Sequence, residues 1–305
     1  MKIQAIAQGS STHGLLLIVL SAVLWGTVGV AVKAVYGLAD TNPLSIGFLR
    51  LAISVPALFL AGWWVLGAQI FRVLRRDLGL MLLLGVLMAL YQVCYFGAIA
   101  RVGVAIAVLV TLCTAPVLVA ILSLWLFREK LTQRLILALT LALIGTALLV
   151  GVQPNAVGGQ GNTVIGVLLA LGSAFGYAVI TLCSRLLAGR YHPLQSLTIG
   201  LGTGALILLP LALLNGFVVS YPVVGWALLL YLGLIPTVVA YVLFLSGIRH
   251  TTATAASITT LLEPLTSTLL AGLFFKEQLG VFGLLGGIVL FGAIVLLFRN
   301  GSRQN

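Results

Sequence analysis

From residue 14 to residue 298 the chain is a succession of long apolar runs separated by short polar or Gly/Pro-rich breaks. An α-helix rises 1.5 Å per residue, so crossing a hydrocarbon core of about 30 Å takes roughly 20 residues. Cutting the chain at its breaks yields ten runs of that size: 14–35, 44–66, 78–99, 103–126, 133–151, 163–186, 194–214, 223–247, 252–274 and 280–298. The pattern predicts an all-α integral membrane protein with ten transmembrane helices. The first run is too long for a signal-peptide core and has no obvious cleavage site after it, so it is expected as a retained helix.

The pattern is also written twice. Residues 105–131 and 253–279 share an offset of 148, and between Tyr95 and Leu131 that offset gives ten identities in 37 positions, Leu122 with Leu270 among them. They include Arg101 with Arg249, Pro116 with Pro264 and Glu129 with Glu277, which apolar composition does not supply by chance. An offset of 152 similarly pairs Gly14, Ser21 and Ala22 with Gly166, Ser173 and Ala174. Two five-helix halves are expected, 14–151 and 163–298, joined by an uncharged Gly-rich linker over 154–162. Five is odd, so the second half must cross the bilayer in the opposite sense. Such an inverted repeat places a substrate site near the midplane, between the halves.

Charge supplies the orientation. With the N-terminus cytoplasmic, Lys2, Arg72, Arg75, Arg76, Arg128, Lys130, Arg134, Arg185, Arg190, Arg249, Arg299 and Arg303 all lie inside. Only Lys33, Arg101 and Lys276 lie outside, and Arg50 falls within helix 2. That bias places both termini in the cytoplasm.

Composition agrees: 61% hydrophobic and 7% charged residues cannot clothe a soluble globule. A net charge of +11 would suggest nucleic acid in a soluble domain, but the bases sit singly or in threes beside apolar runs, so no nucleic-acid partner is expected. Cys94, Cys113 and Cys183 all fall in apolar runs without metal-ligand spacing, and neither a metal nor another cofactor is expected. His13, His192 and His250 fall at helix ends or in loops, and no catalytic constellation accompanies them. The chain does not read as an enzyme.

A few residues depart from the apolar background. Arg50 is costly within a span; it faces a cavity or ion-pair partner, bonds backbone carbonyls, or snorkels outward. Glu263 is the one carboxylate well inside a run, and it must be paired, hydrogen-bonded or protonated. It is a site for proton coupling or a substrate amine, or it caps backbone donors near Pro264. Pro116 and Pro264, at equivalent positions, and Pro56, Pro210 and Pro236 each remove a backbone hydrogen bond and are candidates for kinks that gate the bundle. The competing reading is tolerated proline in a static helix. Trp25, Tyr91, Tyr95, Tyr177 and Tyr241, with the hydroxyls of Thr111, Thr114 and Thr259, either line a central cavity or pack as core. The small-residue pair Gly200/Gly204 and its like suit helix packing and fix no oligomeric state.

Certain of these residues carry a resemblance. Trp25-Gly26 and Lys33, Leu49-Arg50-Leu51, Pro116 followed by Phe127-Arg128-Glu129-Lys130-Leu131-Thr132, Leu262-Glu263-Pro264 and Phe275-Lys276-Glu277-Gln278-Leu279 follow each other at the spacing of the drug/metabolite transporter superfamily. The chain resembles its ten-helix members with two EamA-type repeats, and among them the YddG-type amino acid exporters. It departs in having Tyr177-Ala178 where the first half has Trp25-Gly26. The resemblance implies a multi-pass protein of the bacterial inner membrane whose cavity is lined by helices 1–4 and 6–9, with helices 5 and 10 peripheral. It implies a secondary transporter that exports small metabolites by alternating access. The cavity lining points to neutral and aromatic amino acids with broad specificity, their charged ends held by backbone or hydroxyl groups. A drug, other-metabolite or nucleotide-sugar transporter of the same superfamily is the alternative, and a non-transport bundle the more distant one.

Cysteine labelling checks the topology. Residues 68–77 and 128–134 are expected to react from the cytoplasm and residues 154–162 from outside; a 154–162 loop labelled only from the cytoplasm contradicts the inverted repeat.

Overall fold

A computed structural model describes residues 12–150, 163–275 and 280–301. The linker over 154–162 and the Lys276, Glu277, Gln278 and Leu279 motif residues lie outside them. Among the described residues ten helices are long and apolar enough to cross a membrane: α1 (Thr12–Tyr36), α2 (Pro43–Phe71), α3 (Arg75–Gly103), α4 (Ile106–Leu126), α5 (Gln133–Val150), α6 (Thr163–Ala188), α7 (Pro193–Leu214), α8 (Val223–Ile248), α9 (Ala253–Phe274) and α10 (Val281–Phe298). No strand occurs among the described residues.

Local chemistry sets the ends. Asn42 accepts a hydrogen bond from Ser45 N–H at 2.9 Å, and Pro43 occupies the first turn of α2, where no donor is needed. Thr252 caps α9 in the same way, through Ala255 N–H at 3.1 Å. His192 caps α7 through Nδ1, which accepts from Leu194 N–H at 3.4 Å. Burial and then the neighbouring Arg249 hold that imidazole below its usual pKa, which favours the neutral, accepting form. Between α3 and α4 the chain reverses at Gly103, whose φ of 79° and ψ of 166° suit only glycine.

Three spans are less regular than their apolar patterns suggest. α2 ends in a 3₁₀ turn over Gly67–Phe71. α8 carries a π-helical turn over Leu234–Val239, where Thr237 Oγ1 donates to Leu232 O at 2.8 Å and Pro236 lacks a donor. Expected as one span over 252–274, α9 is two pieces, Ala253–Thr259 and Leu262–Phe275.

The helices pack with a symmetry of halves. α1 packs on α8 and α9, and the α3–α4 hairpin packs on α6; α2 pairs with α7 and α5 with α10. Exchanging the halves maps this set of neighbours onto itself. The largest apolar cluster joins α1, α2, α3, α6, α7, α8 and α9, through residues such as Trp25, Leu58, Leu84, Ile180, Leu201 and Phe244. A second cluster ties α5 and α10 to α1 and α9 at one side.

Between α5 and α10 the contact is backbone on backbone. A methyl group on Gly145 would lie 2.8 Å from Gly286 O, and one on Gly286 would lie 2.6 Å from Gly145 O. Without a hydrophobic drive between helices in lipid, such close approach is what holds a pair together. Gly145→Leu or Gly286→Leu is therefore expected to cost about 1–3 kcal/mol through forced separation, read as a lower thermal midpoint in detergent. Gly292→Ala, which meets nothing within 4 Å, is the control expected to leave the midpoint unchanged.

Candidate functional site

The site grows from the interruption of α9. Pro264 has no N–H, so the carbonyl of Thr260 loses its ordinary donor four residues on. Glu263 N–H fills the gap instead, bonding Thr260 O at 3.0 Å, and Leu261 N–H bonds Ile258 O at 3.1 Å in the same tightened way. A second short helix then starts at Leu262, with Glu263 in its first turn. The positive end of that half-helix dipole favours a carboxylate at this place. Pro116 does not interrupt α4, which runs on from Ile106 to Leu126.

Aromatic rings from both halves gather beside Glu263. Trp25 of α1 meets Tyr241 and Phe244 of α8 at centroid distances of 5.0 and 5.3 Å. Tyr177, its counterpart in α6, meets Tyr91 of α3 at 6.0 Å, and Tyr91 stacks on Tyr95 at 6.0 Å. Tyr177 donates to Thr260 Oγ1 at 3.0 Å, which fastens α6 to the break in α9. Tyr91, Tyr95, Tyr177 and Tyr241 keep part of their surface within reach of water although they belong to the centre of the bundle. The rings therefore pack on one another and keep surface to spare.

Charge approaches these rings from two directions. Glu263 is close enough to interact electrostatically with Arg50 of α2 and with all four tyrosines. Arg50 Nε is buried and has no hydrogen-bond partner among the described residues. The side chain as a whole is half-buried, and Tyr241 of α8 lies within electrostatic reach of it. Arg50 lies beside the π turn of α8: a methyl on Gly233 would approach Arg50 O at 3.2 Å, and Ser54 Oγ bridges Arg50 O and Gly233 O at 2.6 and 2.8 Å.

The remaining candidates separate. Thr111 and Thr259 are buried, with hydroxyls donating to Ala170 O and Ala255 O, while Thr114 is half-buried. Most hydroxyls of α9 likewise bond carbonyls of their own helix, as Ser257, Thr260, Thr266 and Thr268 do. The polarity of that face is largely consumed internally. Pro56 and Pro210 are exposed on helices that continue past them, Pro116 and Pro264 are buried, and Pro236 lies in the π turn.

One group is not legible as functional in the sequence, where Asp77 reads as a loop residue. It stands in the first turn of α3, with its side chain 3% exposed. Arg190 Nη1 donates to its Oδ1 at 2.8 Å and Tyr191 OH to its Oδ2 at 2.9 Å, while Leu74 N–H donates to the Tyr191 oxygen. Nearby, Gln195 Nε2 reaches the carbonyls of Gln69, Ile70 and Arg72. Glu129 accepts from Ala253 N–H, Thr254 N–H and Thr254 Oγ1, capping α9 from the other half. Arg249 joins α8 to Ala188 O and Tyr191 O. The basic end of the bundle is thus stitched across the halves. The only sign of this in the sequence is that an acid stands among bases at a helix start.

Comparison with known proteins agrees with this architecture. The sequence model of the EamA-like transporter family matches residues 12–151 and again 164–299. A protein of Archaeoglobus fulgidus named as an uncharacterized transporter is 34% identical over 94% of this chain and 97% of its own. The pseudopaline exporter CntI of Pseudomonas aeruginosa is 26% identical over 94% of this chain and 96% of its own. A crystal structure with 20% sequence identity superposes with a TM-score of 0.81, covering 96% of this chain and 99% of that one. That last likeness concerns the fold alone.

The stitched end generates a stability test. Asp77→Leu removes two bonds from a buried carboxylate and is expected to cost about 1–3 kcal/mol. Arg190→Gln is expected to cost less, since Arg190 is 43% exposed and its charge is largely screened. Equal costs for the two, measured by denaturant unfolding in micelles, contradict the placement of Asp77.

Proposed function

We propose that this chain, which belongs to the EamA-like transporter family, exports neutral and aromatic amino acids across a bacterial cytoplasmic membrane by alternating access. Membership makes it a multi-pass membrane transporter. The finer reading rests on one observation: aromatic side chains from both halves meet beside one acid and one base, Glu263 and Arg50. Tyr91, Tyr95, Tyr177, Tyr241 and Trp25 present broad apolar faces that suit aromatic and aliphatic side chains alike.

Breadth follows from energetics. In an apolar pocket one methylene changes binding by only about 1–3 kcal/mol, whereas an unmatched buried charge costs more. Side chains that differ in size are therefore admitted together, and a third charge is turned away. The two matches of one family model support the two-repeat organisation, and the odd helix number of each half gives the repeats opposite senses. Rocking of one half against the other opens the centre to each side in turn, both termini staying cytoplasmic. Export, as against uptake, is the direction borne by the named function of the CntI relative.

Flux into proteoliposomes tests the reading. Labelled Phe is expected to enter and to be competed by Met and Thr; strict selectivity for one amino acid, or transport of cationic drugs alone, contradicts it. Trp25→Ala and Tyr95→Ala are expected to shift the relative preference among Phe, Met and Thr while the proteins remain folded. Unchanged rates for every amino acid would return both rings to a packing role.

A further inference from the structure

We propose that Arg50 and Glu263 together form a receptor for the two charged ends of an α-amino acid, Arg50 taking the carboxylate and Glu263 the ammonium. This rests on the amino acid reading above and differs from holding the ends by backbone or hydroxyl groups, because the threonine donors nearest the break are spent within the protein. Thr259, Thr260, Thr266 and Thr268 already donate to carbonyls within α9, and Thr111 to Ala170 O. The Arg50 Nε donor is not spent in this way.

Their geometry is that of a pair kept apart. Glu263 lies within electrostatic reach of Arg50, yet among the described residues neither forms an ion pair within 4.0 Å, and the carboxylate of Glu263 accepts no hydrogen bond. A charge in a low-dielectric interior without a partner is a standing cost. A direct salt bridge would remove that cost, and Asp77 with Arg190 shows that this fold makes one at 2.8 Å elsewhere. The interval between Arg50 and Glu263 is filled by a ligand carrying one charge of each sign.

The details select the class of ligand. Arg50 Nε is buried with its donor unused, and a guanidinium presents Nε–H and Nη–H side by side, the fork that takes both oxygens of a carboxylate. Glu263 stands on the dipole of a half-helix with tyrosine rings about it, and those π faces attract an ammonium alongside the carboxylate. In an α-amino acid both charged groups hang on one carbon, so a single small molecule reaches both residues while its side chain lies among Trp25, Tyr91, Tyr177 and Tyr241. An organic anion leaves Glu263 unmatched, and an organic cation leaves Arg50 unmatched.

The test compares L-phenylalanine with 3-phenylpropionate, which lacks the ammonium, and 2-phenylethylamine, which lacks the carboxylate. Each is titrated against the full-length protein in lipid nanodiscs. The parental protein is expected to bind phenylalanine roughly 10- to 100-fold more tightly than either analogue, the range set by one charged hydrogen-bonded contact. Glu263→Gln is expected to weaken phenylalanine by a similar factor and leave 3-phenylpropionate unchanged. Arg50→Gln is expected to weaken phenylalanine and 3-phenylpropionate and leave 2-phenylethylamine unchanged. The comparison on the parental protein needs no variant to fold, and Glu263→Asp and Arg50→Lys give partial recovery where the amides are unstable. Equal affinity for all three compounds overturns the receptor while leaving amino acid transport standing. Failure of any amino acid to bind overturns both.

Discussion

Everything in this protein answers to the absence of water in the bilayer: a backbone N–H or C=O facing hydrocarbon must find its partner inside the protein. Ten continuous helices would satisfy that constraint completely and do nothing more. The constraint is relaxed in this bundle where neighbouring helices cover the backbone. The break at Thr260 and Leu261 is covered by the Tyr177 hydroxyl from α6 and by the tightened bonds of Glu263 and Leu261. The π turn of α8 is covered by Thr237 and by Ser54 of α2. Glu263 and Arg50 stand beside those two irregularities.

The bundle divides its labour between close backbone contact and aromatic contact. α5 and α10 meet glycine to glycine, leaving no volume between them, and tie to α1 and α9 through an apolar cluster. Among the other helices, large rings of α1, α3, α6 and α8 meet one another. At the basic end, Asp77, Glu129, Gln195 and Arg249 bind one half or one helix to another. The bundle is therefore stitched by polar side chains at its basic end and by aromatic and apolar contacts further in.

Much of this was legible in the sequence, for definite reasons. Spans are set by length and hydropathy, which the bilayer reads without regard to tertiary context, and the ten runs match the ten helices to within a few residues. Arg50 and Glu263 stood out because a charge within an apolar run is expensive wherever it points. What the chain concealed depends on neighbours. Pro116 and Pro264 look equivalent, yet only Pro264 has the covered break that lets its helix divide. Thr259 and Tyr177 both looked available, but the first spends its hydroxyl on its own helix and the second spans two helices. Asp77 reads as a loop acid until Arg190 and Tyr191, more than a hundred residues away, are folded against it.

The claim that the working site lies between the halves is tested most directly by locating a bound substrate. Crystals grown with selenomethionine as ligand, the protein itself carrying ordinary methionine, would report the selenium by anomalous scattering. The account predicts a peak among Trp25, Tyr91, Tyr177 and Tyr241. A peak confined to the bundle surface, such as the crevice near Ile70 and Ile199, with the centre empty at saturating ligand, would contradict it.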